Sequence, residues 1–197
     1  AMIEKLAKSL VAWQIKNGYL KPADQNLYQY GFELLIGQAV NLLIACLLAI
    51  IFQAYVTVFL FLVTFIPLRS FAGGHHADSH EVCTIVSNLI ICAVCILAGR
   101  IPDGAILGVN LASGALCGIF IFLFAPVEDH NKPLDEKERT RYGRYSKVIW
   151  GIETLIWIGC YTFRMRNISL VIGLAHMAVM ILLCGGLIKR RSERRLL

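Results

Sequence analysis

The chain has 197 residues, 57% of them hydrophobic and 16% charged, with a mean hydropathy of +0.65 and a formal net charge of +6. Soluble domains carry roughly 45–50% apolar and about 25% charged residues, so disorder, collagen-like structure and an ordinary soluble enzyme are poor fits. An all-α integral membrane protein is the class that remains. The positive balance then reads as basic loops that set orientation, not as a nucleic-acid surface.

Residues 2–30 form an N-terminal segment with no cleavable signal pattern, because Lys5, Lys8 and Lys16 are spread through it. Ile3, Leu6, Leu10, Val11 and Trp13 fall near one helical stripe and the lysines mostly elsewhere. That pattern predicts an amphipathic interfacial helix; a helix packed on its own protein fits the pattern equally well. Residues 31–188 read as a core of six transmembrane spans, at about 32–52, 55–68, 82–98, 104–125, 148–163 and 168–188. The second and fifth are short against the roughly 17–25 residues a crossing needs. Only Gln53 and Ala54 separate the first two, which demands a tight hairpin. Residues 189–197 form a basic tail, and residues 1–197 together read as one membrane-embedded domain.

With six spans, sixteen Lys and Arg fall on one side and three (Arg100, Arg164, Arg166) on the other. The positive-inside bias places both termini and the 69–81 and 126–147 loops in the cytoplasm. The split depends on the span count.

Six of the seven cysteines lie inside apolar runs, which suits small core residues better than a disulfide framework. Cys92-x-x-Cys95 sits mid-span and reads as packing. Asn41, Asn88, Asn110 and Ser113 are expected to face other helices, and His176 to hydrogen-bond between helices. Glu33 and Glu153 lie near span ends, within reach of water or an Arg. Gly104, Gly108, Gly114 and Gly118 permit close helix packing.

The chemistry-bearing segment runs from Pro67 to Cys83 and holds His75, His76 and His80, three of the five histidines. Ionisable groups at membrane depth are costly, so a cluster at the boundary is a functional candidate. A thiol beside an imidazole can lose its proton and become a strong nucleophile. On a straight helix His76 and Cys83 share a face but lie about 10 Å apart along the axis, so pairing them needs a fold-back. Gly73-Gly74 loosens the approach, and Asp78-Ser79 can cap the next helix. His80 reaches Cys83 without any break, so spacing alone favours it slightly. Two other readings stay open: a metal-dependent peptidase with His76, His80 and Cys83 as ligands and Glu81 as base, and a purely structural boundary cluster. A non-enzymatic peptide exporter is a further alternative, in which the polar intramembrane residues matter more than Cys83.

Arg69-x-x-x-Gly73-Gly74-x-His76 followed by Cys83 resembles the motif of the accessory gene regulator B family, membrane cysteine endopeptidases that process quorum-sensing propeptides. Pro126-x-x-x-x-Asn131-Lys132-Pro133-Leu134, followed by Asp135, Glu136 and Glu138, resembles the family's second stretch. The resemblance implies Cys83 as nucleophile and His76 as base, overriding the lean to His80, with no cofactor and no metal. Arg69, Gly74, Asp78 and Ser79 are supporting or orienting candidates; Asp78, or equally Ser79 or Glu81, could orient the imidazole, and a plain dyad is the alternative. Asn131, Lys132, Pro133, Arg139 and Arg141 are substrate-binding candidates. The implied substrate is a propeptide with an amphipathic leader and an acidic tail, cleaved through an acyl-thioester and cyclised to a thiolactone or lactone. The implied setting is a bacterial cytoplasmic membrane with the site on its inner face; a homodimer is a further expectation from the family.

Overall fold

The computed structural model describes residues 2–74, 80–127 and 135–193. They form seven α-helices: α1 (Met2–Lys16), α2 (Gln25–Ile51), α3 (Tyr55–Ala72), α4 (His80–Arg100), α5 (Asp103–Phe124), α6 (Glu136–Thr162) and α7 (Arg166–Glu193). Among the described residues there is no strand, and one isolated parallel bridge joins Gly73 to Val127.

The hairpin between α2 and α3 closes in two residues. Gln53 takes the left-handed conformation (φ 51°), and Ala54 N–H donates to the Ala49 carbonyl at 2.9 Å. Pro67 lies inside α3, where it lacks the N–H that would complete the helical ladder; the helix nonetheless continues to Ala72, four residues past the apolar run read from the sequence.

Helix α7 is the axis of the bundle. Residues 169–176 are buried without interruption, as expected for a helix surrounded by others. Two apolar clusters stack along it. One gathers Ala45, Val58, Phe61, Ile91, Ile106 and Leu174. The other gathers Leu68, Ala72, Cys117, Ile121, Val127, Val179 and Leu183. The first therefore marks the end where α2 finishes and α3, α5 and α7 begin, and the second the opposite end. Between apolar helices in lipid, close packing and hydrogen bonds hold the contacts. A Cβ on Gly118 would stand 2.5 Å from the Trp150 ring, and Trp150 Nε1–H donates to the Gly114 carbonyl at 3.1 Å. Asn110 Nδ2–H donates to Ser169 Oγ at 2.6 Å, and Ser169 donates to the Trp157 carbonyl at 3.0 Å. Asn110 and Ser113 are buried, and Asn88 Nδ2 lies 3.5 Å from Asn41 Oδ1, so these polar residues do face other helices.

Among the described residues five helical segments, not six, are long and apolar enough to cross a bilayer: Pro22–Ile51, Tyr55–Ala72, Val82–Arg100, Asp103–Phe124 and Arg166–Lys189. The expected span at 148–163 does not qualify. Its helix begins at Glu136 and is charged through Lys147, so the apolar part covers only residues 148–162. That is roughly 22 Å of helix, against a hydrocarbon core of about 30 Å. Residues 136–147, read as loop, thus belong to α6, started by a capping box in which the Asp135 side chain accepts from Glu138 N–H and Asp135 N–H donates to the Glu138 carboxylate at 3.3 Å; Asp135 Oδ1 also accepts from Glu136 N–H at 2.7 Å. Helix α6 runs antiparallel to α5: Gly143 packs on Pro126 near the end of α5, Trp150 on Gly118, and Trp157 near Gly114.

Helix α1 packs on α2 and buries Ala7 and Val11, while Leu6, Leu10 and Trp13 are exposed. The apolar stripe is thus divided between a protein contact and an open face.

Candidate functional site

The site begins where α3 ends. Gly73 N–H donates to the Arg69 carbonyl at 3.2 Å, and Gly73 then leaves the helix at φ 72°, ψ −147°. Gly74 follows at φ 117°. Both conformations belong to glycine, because an L side chain would collide with its own backbone there. Space enforces the same choice. A Cβ on Gly73 would strike the Val127 carbonyl, and one on Gly74 would lie 2.9 Å from the Leu182 carbonyl on α7.

Val127, just past α5, holds this exit in place. Its N–H donates to the Ala72 carbonyl at 2.9 Å, and its carbonyl accepts from Gly74 N–H at 3.1 Å. From the other side the Arg69 guanidinium donates to the Gly73 carbonyl. A charged donor on a backbone carbonyl is among the stronger hydrogen bonds available. The backbones of Ala72, Gly73, Gly74 and Val127 thereby join the ends of two helices, α3 and α5, and Gly74 lies close against Leu182 within a third, α7. Phe71 adds a fourth, meeting the edges of the Tyr142 and Tyr145 rings of α6 at 5.6 and 5.2 Å.

Cys83 stands in the first turn of α4, at the same end, and is half-exposed; all seven cysteines are free thiols. His76, Asp78 and Ser79 lie outside the described residues, as do Asn131, Lys132 and Pro133, and of His80 only the backbone is described. The pairing of Cys83 with any histidine is therefore not on display, nor is the metal set that would use His76 and His80. Among the described residues no group of three or more His, Cys, Asp or Glu is placed to hold a metal ion.

Arg139 and Arg141 project from the N-terminal half of α6 and are exposed, with Lys137 and Arg144 beside them. Lys16 and Lys21 precede α2, which starts at the same end as α4. At the far end Arg166 pairs with Asp103 at 3.2 Å, and Arg100 and Arg164 are also exposed there. Because α6 lies antiparallel to α5 and α7, the basic residues gather at the Gly73–Gly74 end whether or not α6 is counted as a span.

Sequence reading missed three partners. Val127 and Leu182 act through their backbone, which no side-chain motif announces. Glu153, expected at a span end within reach of water, is buried and lies 3.0 Å from His176 Nε2 through Oε2. The single signal for that pair was the presence of two ionisable residues in apolar surroundings.

The sequence profile of the family described as accessory gene regulator B matches residues 3–190. AgrB-like protein 2 of Clostridium perfringens (strain 13) is 30% identical over 165 residues, covering 79% of this chain and 75% of the relative. An AgrB-like protein of C. perfringens (strain SM101) is 26% identical over 98% of this chain and 97% of its own length. One from Lactiplantibacillus plantarum is 26% identical over 75% of this chain and 74% of its own length. No solved structure matches. With the profile covering nearly the whole chain, the protein belongs to the accessory gene regulator B family.

Proposed function

We propose that the protein is a membrane cysteine endopeptidase that cleaves the acidic tail from a quorum-sensing propeptide and closes the remaining signal segment into a ring. The observation that carries this reading is the brace on Gly73 and Gly74. It fixes the chain two residues before His76, at the bundle end where Cys83 opens α4. A pair of groups seven positions apart can meet only if the intervening chain folds back, and a rigid starting point lowers the entropy cost of holding that fold.

In the reaction, His76 takes the Cys83 thiol proton and the sulfur attacks the scissile carbonyl. The C–N bond breaks, and the tail leaves as an amine carrying the proton that His76 returns. The signal segment stays on Cys83 as a thioester. A Cys or Ser inside that segment then attacks the same carbonyl, releases Cys83 and forms the thiolactone or lactone. Intramolecular attack has a high effective concentration, but water competes unless it is kept out. A site at the bundle end, covered by lipid and a bound leader, meets that need. Asp78 or Ser79 orients the imidazole. Arg139, Arg141 and the Asn131–Pro133 stretch receive the acidic tail, while Leu6, Leu10 and Trp13 on α1 rest in the interface. The clustered basic residues favour an inner-leaflet position for this end in a bacterial cytoplasmic membrane. A second copy of the chain is the expected partner beside the propeptide.

The decisive experiment incubates full-length protein with propeptide in vesicles and reads intact mass. A covalent adduct equal to the leader-bearing segment, lost in Cys83→Ala and in His76→Ala but kept in His80→Ala, is expected. Processing by Cys83→Ala would eliminate the thiol mechanism.

A further inference from the structure

We propose that Gly114 opens a binding site for one ordered water molecule at the centre of the bundle, bridging Trp157 Nε1–H to His176 Nδ1. Trp157 and His176 are 4% and 0% exposed, and neither nitrogen has a hydrogen-bond partner among the described residues. Both aim at Gly114. A Cβ built there would stand 3.6 Å from Trp157 Nε1 and 3.9 Å from His176 Nδ1. An oxygen sits farther from the Gly114 Cα than a bonded carbon does. An oxygen that bridges the two nitrogens must stand beyond the Cβ position, within the roughly 2.7–3.2 Å of each that a hydrogen bond requires.

The chemistry selects water. Trp157 Nε1 can only donate, so the ligand must accept. His176 already meets Glu153 through Nε2 at 3.0 Å. With the ring proton on Nε2 the ligand donates to Nδ1, and with it on Nδ1 the ligand accepts there; a water can do either. A single oxygen that accepts from one ring and donates to the other is a water or a hydroxyl. A buried indole N–H or imidazole nitrogen left bare in hydrocarbon is costly, and internal waters commonly resolve such cases with two to four polar partners. Thr154 Oγ1, one turn earlier on α6, is also buried without a partner among the described residues. A groove of about 460 Å³ between α5 and α6 passes Gly114, Thr154 and Trp157.

Filled in this way, Glu153, His176, the water and Trp157 form one chain of hydrogen bonds joining α6 and α7 in front of α5. Helix α7 then carries the constraint to Leu182, whose carbonyl abuts Gly74. Gly114 is thus a ligand-admitting glycine, unlike Gly118, which admits the Trp150 ring.

The test uses the full chain in detergent micelles, with the unfolding equilibrium read by titration with a denaturing detergent. Helix propensity alone ranks Gly114→Ala above Gly114→Ser by about twofold, and above the parent by about fivefold. A hydrated site reverses that order: the Ser hydroxyl replaces the water oxygen, while the Ala methyl displaces it and leaves both nitrogens bare. We expect Ser to exceed Ala at least tenfold in the folding equilibrium constant. In a Trp157→Phe background the advantage should fall below threefold. Ala equal to or better than Ser, or a Ser advantage that persists undiminished without the indole N–H, would overturn the proposal.

Discussion

Gly74 donates its backbone N–H to the carbonyl of Val127 at 3.1 Å, joining the exit of α3 to the exit of α5. The contact needs two backbones at close range, and the Leu182 carbonyl closes the third side. Gly74→Ala must therefore either abandon φ 117° or push α7 away. Strain of this kind costs on the order of 1–3 kcal/mol. We expect at least a tenfold loss of propeptide cleavage with the protein still accumulating in the membrane. Quantifying cleaved tail per unit of membrane protein checks this; activity within twofold of the parent would mean that the exit geometry has no bearing on the site.

Arg69 acts on the same turn through its guanidinium, which donates to the Gly73 carbonyl. A charge-assisted bond contributes about 1.5–3 kcal/mol, and a lysine replaces a planar fork with a single point of charge. Arg69→Lys should lower kcat for cleavage about tenfold, and Arg69→Ala further, with KM for the propeptide changing little. A KM effect of the same size would relocate Arg69 from bracing the chain to holding substrate.

The buried pair makes a separate prediction about stability. Glu153 and His176 lie on α6 and α7 with their polar atoms 3.0 Å apart. Removing one partner strands the other, at a cost of about 3 kcal/mol or more in a low-dielectric interior, whereas removing both can be nearly neutral. His176→Leu should thus destabilise more than the double variant Glu153→Leu/His176→Leu. Additive losses in a double-mutant cycle, measured by unfolding in mixed micelles, would mean that the pair does not interact.

The helical bundle was legible because apolar runs of membrane length can do little else, and the Gln53–Ala54 hairpin because two residues leave no alternative. The first half of α6 was not, since charge up to Lys147 resembles a solvated loop; yet Asp135 and Glu138 carry the spacing of a capping box, the signal that a helix starts there. The motif glycines announced a special backbone without saying what they approach. Val127 and Leu182 supply carbonyls, and any residue type could do so. Glu153 and His176 lie 23 positions apart, and only the antiparallel register of α6 and α7 brings them together.

Sidedness depends on which loops share an end. Asn17, before α2, and the α6 N-terminus lie toward the Gly73–Gly74 end, while Arg164 sits in the turn between α6 and α7 beside the Asp103–Arg166 pair. The basic residues crowd the first end, and cytoplasmic retention of Lys and Arg predicts that it faces inward. In a background stripped of other reactive thiols, an impermeant maleimide applied to intact cells should label Arg164→Cys and leave Asn17→Cys untouched until the membrane is opened. Labelling of Asn17→Cys from outside would invert the molecule. It would also place Cys83 on the outer face, where a propeptide made in the cytoplasm must cross the membrane before it can be cut.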